Sequence, residues 1–307
     1  MQNVSIIGTG PAGLTAAIYA ARAGLNPIVF AGIQHGGQLT TTTEIENFPG
    51  FSGPIGGPKL MEDMTEQAKR VGATIIMKEV QKVDFSSPIH KIWTDDGELV
   101  ETKTVIIATG ATAKTLGLRH EDRLMGRGIS TCATCDGFFY KNKSVLVVGG
   151  GDTAMEEALY LAKLCKEVTI IHRRDEFRAS PIMLERAQRN PKIRFLLPFT
   201  VKEPLENDNE LSGVVLENTI SKETETMICD GLFYGIGHSP NSEIFKSFLH
   251  TDPNGYLLVR EHTKTNVPGV FAAGDIADPH FRQAVTAAGM GCQAAIQAFK
   301  YLEERGD

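Results

Sequence analysis

Val4-Ser5-Ile6-Ile7-Gly8-Thr9-Gly10-Pro11-Ala12-Gly13 is a short apolar run that stops in a glycine-rich turn. An alanine-rich, helix-favouring stretch follows from Leu14 to Arg22, and Pro27-Ile28-Val29-Phe30 is a second apolar run. Strand, turn, helix and strand in that order turn G-x-G-x-x-G from a bare turn into a dinucleotide fingerprint. Gly8 makes the turn, Gly10 lets a pyrophosphate approach the backbone, and Gly13 lets helix pack on strand. The helix beginning at Pro11 and Ala12 adds N–H groups and a partial positive charge for the phosphates.

The pattern occurs again. Ser144-Val145-Leu146-Val147-Val148 leads into Gly149-Gly150-Gly151-Asp152-Thr153-Ala154, a helical stretch runs through Lys163, and Val168-Thr169-Ile170-Ile171 is the next strand. Ala154 takes the place of the third glycine, a small residue that the packing position allows. Two fingerprints imply two dinucleotides, and electron transfer between them is the economical explanation. The second strands end differently. Ile171 is followed by His172-Arg173-Arg174, with Arg178 four residues later. A carboxylate there would pair with a ribose 2′-hydroxyl, whereas arginines accommodate a 2′-phosphate, so NADPH is favoured over NADH. After Phe30 the expected acidic residue is absent from Ala31-Gly32-Ile33-Gln34-His35-Gly36-Gly37-Gln38, and glycine-rich backbone would have to hold that ribose.

Val105-Ile106-Ile107-Ala108-Thr109-Gly110 and Val270-Phe271-Ala272-Ala273-Gly274-Asp275 are two more buried-strand runs ending in small-residue turns. Asp275 is placed to accept a hydrogen bond from a flavin ribityl hydroxyl. Both runs flank the second nucleotide unit, so that unit reads as inserted into the first. The expected architecture is α/β, with two Rossmann-like dinucleotide-binding domains of the three-layer ββα type. The outer domain takes residues 1–115 and 238–307 and the inserted one 116–237, with crossovers near Leu116 and Gly237.

Composition narrows the class. The 307 residues are 42% hydrophobic and 22% charged, as in a soluble globular protein, and a net charge of −6 lacks the basic footprint of a nucleic-acid binder. No apolar run approaches the roughly 18 residues that a membrane span needs. The first residues lack a basic segment and a small-residue cleavage site, so a cytoplasmic location is expected. Five cysteines are too sparse for a secreted disulfide framework.

Two of those cysteines form Cys132-Ala133-Thr134-Cys135-Asp136-Gly137-Phe138-Phe139, just before the second fingerprint. A structural zinc site would need a second ligand pair, and Cys165, Cys229 and Cys292 are isolated, so no metal is expected. Inert thiols would not explain the spacing, and a reducing compartment disfavours a purely structural bridge. A redox dithiol remains, since two intervening residues permit a small ring that opens and closes with little backbone movement. Asp136 can donate or accept a proton during exchange, or equally cap a turn. Phe138 and Phe139 fit either a core or an apolar contact for a protein substrate. His238, at the proposed crossover, receives no catalytic role.

These motifs together resemble bacterial-type, low-molecular-weight thioredoxin reductases along essentially the whole chain. The resemblance rests on residues 8–13, on Gly36-Gly37-Gln38-Leu39-Thr40-Thr41-Thr42-Thr43-Glu44-Ile45-Glu46-Asn47, and on residues 132–137 and 149–154. His172-Arg173-Arg174, Gly237-His238-Ser239-Pro240-Asn241, and Gly274-Asp275 with Arg282-Gln283-Ala284 complete it. It implies FAD in the outer domain, NADPH in the inserted one, thioredoxin as the disulfide substrate, and a homodimer formed through the FAD domains. Gly32 through Leu39, Asn47 and Asp275 through Ala284 are implied to line the flavin, which accounts for the missing acidic residue. Cys135 is implied to face the flavin, Cys132 to attack the substrate disulfide, and Asp136 to act as the acid. A large rotation of the NADPH domain is implied as well. A peroxiredoxin-reducing flavoprotein is the alternative, weakened by Arg173 and Arg174 because such enzymes favour NADH. A sensing module without turnover is the reading from another class.

Overall fold

In the computed structural model, residues 1–42 and 44–306 are described; Thr43, part of the resembling 36–47 segment, and Asp307 lie outside the described residues. The chain divides into two compact units. One joins Met1–Thr112 to the residues from Ser239 onward, and the other is Ala113–His238.

The first unit is built on a seven-stranded sheet. Its parallel part runs Thr74–Ile76, Ile28–Phe30, Gln2–Ile7, Leu99–Ile107, with Val270–Ala272 also parallel to Leu99–Ile107. Leu99–Ile107 is long because it serves twice. Its first half pairs antiparallel with His90–Thr94, which continues to Val80–Asp84 as a meander, and its second half is the buried centre of the parallel sheet. Alternation sends Val4, Ile6 and Ile106 into the core on one face and Ile7, Val105 and Ile107 into the core on the other. A strand buried on both faces reads as an unbroken apolar run, which is why it was visible in sequence. The alanine-rich helix Pro11–Arg22 packs against the long helix Ala284–Glu304. They approach closely enough that a Cβ on Gly291 would run into the Ala12 carbonyl.

The second unit repeats the plan. Five parallel strands run in the order Ile193–Leu196, Glu167–Ile171, Ser144–Val148, Gly231–Tyr234, Ile129–Ser130. Helices Asp152–Leu161 and Pro181–Gln188 bury Met155, Ala158 and Ala187 on one side. A three-stranded antiparallel sheet, Phe199–Asn207, Glu210–Asn218 and Thr224–Ile228, buries Val201, Val214 and Leu216 in a second cluster with Leu146 and Val148.

Candidate dinucleotide and dithiol sites

At the first fingerprint each glycine has a separate reason. Gly8 has φ +112°, and a Cβ there would strike the Ala108 carbonyl. A Cβ on Gly13 would strike the Gly8 carbonyl, so helix and strand touch backbone to backbone. Gly10 has ordinary extended backbone and open space where its Cβ would stand. No side chain caps the helix at Gly10, so its first-turn N–H groups face outward, as a pyrophosphate requires. Gly37 lies alongside, its Cβ position 3.3 Å from the Gly10 Cα, and the Gly274 Cβ position is 2.9 Å from the Ala12 Cβ. Segments 8–13, 36–38, 108–110 and 274–275 therefore meet at one helix N-terminus.

Thr9, absent from the sequence expectations, is the tie. Buried at 2% exposure, its hydroxyl accepts from the Gly36 N–H at 3.0 Å and donates to the Ala31 carbonyl at 3.3 Å. The Gln38 side chain donates to the Ala111 carbonyl, and Asn47 Nδ2 reaches Gln283 Oε1 at 3.4 Å. Thr109 and Asn241 are cross-linked twice, at 2.9 and 2.8 Å. Asp278, within the 275–284 segment expected to line the flavin, gathers the N–H groups of His280, Phe281 and Arg282 on its carboxylate, and Gln283 with Thr286 boxes the start of the helix at Ala284. Asp275 is half-buried, and its carboxyl is pushed up to about 6 by burial first and by Asp278 next, against Arg282. Two expected residues lie apart from this cluster. The Ile33 side chain is 86% exposed, and the His35 ring turns to Thr65 on helix Gly57–Arg70.

The second fingerprint has the same logic with one addition. A Cβ on Gly149 would meet the Gly235 carbonyl, while Gly151 is uncapped and open. Gly150 must also be glycine, because the His172 ring fills the place of its Cβ. Its carbonyl accepts the Arg178 and Ala179 N–H groups at 2.7 and 3.1 Å, and Asp152 accepts both the N–H and hydroxyl of Ser180. The loop so pinned exposes Arg173, Arg174 and Arg178. His172 is not displayed with them. It is 8% exposed, stacks on Phe177 at 5.1 Å, and its Nε2 lies 3.1 Å from the Glu176 carbonyl. Burial first, then the three arginines, hold its proton affinity down.

Cys132 and Cys135 form a disulfide, S–S 2.03 Å. Cys132 caps the short helix Ala133–Asp136, its carbonyl accepting the Cys135 and Asp136 N–H groups at 3.2 and 3.1 Å. Ala133 is buried in the core of the second unit, Cys132 is half-buried and Cys135 is exposed. Asp136 is half-buried, and burial raises its carboxyl above the ordinary range although Ser130 donates to it at 2.6 Å. Phe138 and Phe139 are 60% and 39% exposed, so neither is a core residue. The thiols of Cys165 and Cys229 are free and buried, pushed up to about 11 and about 12 chiefly by burial. Among the described residues no cluster of three or more His, Cys, Asp or Glu could hold a metal, and no helix is long and apolar enough to cross a membrane.

The family model described as pyridine nucleotide-disulphide oxidoreductase matches residues 2–291. A thioredoxin reductase of Streptomyces coelicolor is 50% identical over 309 aligned residues, covering 100% of this chain and 96% of that protein. The bifunctional thioredoxin reductase/thioredoxin of Mycobacterium leprae is 48% identical over 99% of this chain, which spans 66% of the relative. The solved thioredoxin reductase from Giardia duodenalis superposes with a TM-score of 0.94 at 41% identity, covering 98% of each chain.

Proposed function

The chain belongs to the pyridine nucleotide-disulphide oxidoreductase family, and on that premise we propose that it is an NADPH-dependent thioredoxin-disulfide reductase, carrying electrons through Cys132 and Cys135. One observation carries the reading: a formed, surface-reaching disulfide belongs to the same unit as a fingerprint with three exposed arginines. Residues 8–13, Gly32, Gln34, 36–39, Asn47, 108–110 and 274–284 would hold FAD in the first unit, without Ile33 and His35, which lie apart. Gly149, Gly151–Ala154, Arg173, Arg174 and Arg178 would hold NADPH in the second, with His172 as a buried support beneath the loop. The uncapped, open glycines at 10 and 151 suit the two pyrophosphates. Bound FAD supplies the two-electron exchange between nicotinamide and disulfide.

The protein's own groups do the rest. Reduced, Cys132 attacks the substrate disulfide as a thiolate, and Asp136 gives its proton to the departing substrate sulfur. Cys135 then closes on Cys132, returning its proton to Asp136, and the second substrate sulfur leaves as a thiolate. Two electrons have passed to the substrate, and the charge that began on Cys132 leaves with it. Phe138 and Phe139 offer the substrate an apolar seat. Thioredoxin is the substrate, in keeping with the M. leprae relative, whose name joins reductase and thioredoxin in one protein. The protein works in the cytoplasm as a homodimer through the first unit, where Tyr19, Val285 and Ile296 are exposed on the paired helices. NADPH oxidation by the purified holoenzyme, with and without oxidised thioredoxin, tests the assignment; oxidation that thioredoxin does not accelerate would overturn it.

A further inference from the structure

Ser130 ends the edge strand Ile129–Ser130 and is 3% exposed. Its oxygen accepts the Cys132 N–H at 3.1 Å, and its hydroxyl faces two acceptors, Asp136 Oδ2 at 2.6 Å and the Cys132 carbonyl at 3.4 Å. A hydroxyl has one proton, and a short contact to a group that can carry charge is the stronger claim on it. The hydroxyl thus donates to Asp136 while accepting from Cys132. One buried side chain joins the acid to the backbone of the attacking sulfur's residue.

We propose that Ser130 is a positioning residue for dithiol exchange: it holds Asp136 by Oδ2, leaves Oδ1 to carry the transferred proton, and fixes that acid to Cys132. The inference rests on the reading of Asp136 as the acid. The bond favours the carboxylate and so opposes the upward push of burial, keeping the acid from holding its proton too tightly. Other titratable groups on the packed elements are the two sulfurs of the pair, Tyr140, and Asp152, Glu156, Glu157 and Tyr160 of helix Asp152–Leu161, whose Tyr160 ring lies beside Gly137. The Tyr140 phenol is pushed up to about 12 by burial first and by Asp136 next, and Cys229, Glu210 and Asp230 act on it in the same sense. None of these donates to Asp136 in place of Ser130.

The test follows single-turnover reoxidation of the pre-reduced holoenzyme by oxidised thioredoxin across pH. An acid that must be protonated gives a rate that falls as pH rises through its pKa. Asp136→Asn is expected to abolish that alkaline limb. Ser130→Ala is expected to lower the plateau about tenfold and move the limb upward by about one pH unit, the loss of one hydrogen bond to a charged group. Ser130→Thr, which keeps a hydroxyl, is expected to restore the limb. Thermal midpoints identify unfolded variants, and Ser130→Gly replaces Ser130→Ala if that variant does not fold. A Ser130→Ala protein that is slower with an unmoved limb would overturn the inference and leave the acid standing. A limb that survives Asp136→Asn would overturn both.

Discussion

Replacing Gly10 and Gly13 separately by alanine should give opposite results, though both belong to one motif. Gly10 has φ −69° and ψ −179°, a conformation alanine adopts freely, and nothing lies within 4 Å of its Cβ position. In the apoprotein Gly10→Ala should therefore be neutral or stabilising by up to about 1 kcal/mol, because it restricts the unfolded chain. The new methyl stands where the pyrophosphate must come. Overpacking of one methyl costs about 1–3 kcal/mol, so FAD should bind roughly 5- to 150-fold more weakly. Gly13→Ala drives its Cβ into the Gly8 carbonyl, a backbone atom that cannot rotate away. The cost there falls on folding itself, about 3 kcal/mol or more, since helix and strand must separate. Apoprotein melting curves and fluorescence titration with FAD distinguish the two. A Gly10→Ala protein that melts lower and binds FAD normally would refute the reasoning.

Cys132→Ser should keep NADPH-driven bleaching of the flavin while losing turnover with thioredoxin, as followed by absorbance and by thioredoxin-dependent NADPH oxidation; retained turnover removes the role given to the pair. Arg173→Ala with Arg174→Ala should raise KM for NADPH by about 30-fold or more, two exposed charge-assisted contacts at about 1 kcal/mol each, and leave KM for NADH nearly unchanged. An equal loss with both coenzymes would separate these arginines from the 2′-phosphate. Asp275 has its carboxyl raised from 3.8 to about 6, so the folded apoprotein holds that proton more tightly than the unfolded chain. Its contribution favours folding below its unfolded pKa and is lost as pH rises through about 6. Asp275→Asn should therefore stabilise the apoprotein by about 1–2 kcal/mol near neutral pH, discounted for partial exposure, and by nothing near pH 3.5. Urea denaturation at the two pH values checks it, with weaker FAD binding as the accompanying loss.

What the sequence disclosed was local. Both fingerprints announce themselves because strand, glycine turn and helix are contiguous, and because strands buried on both faces are unbroken apolar runs. The strands Val80–Asp84 and His90–Thr94 carry no such run, since each has only two apolar residues among polar ones. Residues whose work depends on distant partners were also invisible. Thr9 acts on residues 22 and 27 positions away, and Gly150 is required by a histidine ring 22 positions on. Ser130 stands only two places before Cys132, yet nothing in an isolated Ile-Ser marks a hydroxyl aimed at Asp136. His172 shows the reverse. It lies in the same short run as Arg173 and Arg174, but Phe177 folds back over it and turns a surface residue into a buried support.

The meeting of helix Pro11–Arg22 with helix Ala284–Glu304 sets an order of assembly. Ala12, at the heart of the first fingerprint, backs onto Gly291, some 280 residues later in synthesis. The inserted unit is one continuous stretch, so every partner it needs has been made by residue 238. Domains generally fold as units while the chain is being made. The fingerprint written first is therefore completed last, and a growing chain holds a finished coenzyme module before it has anywhere to keep a flavin.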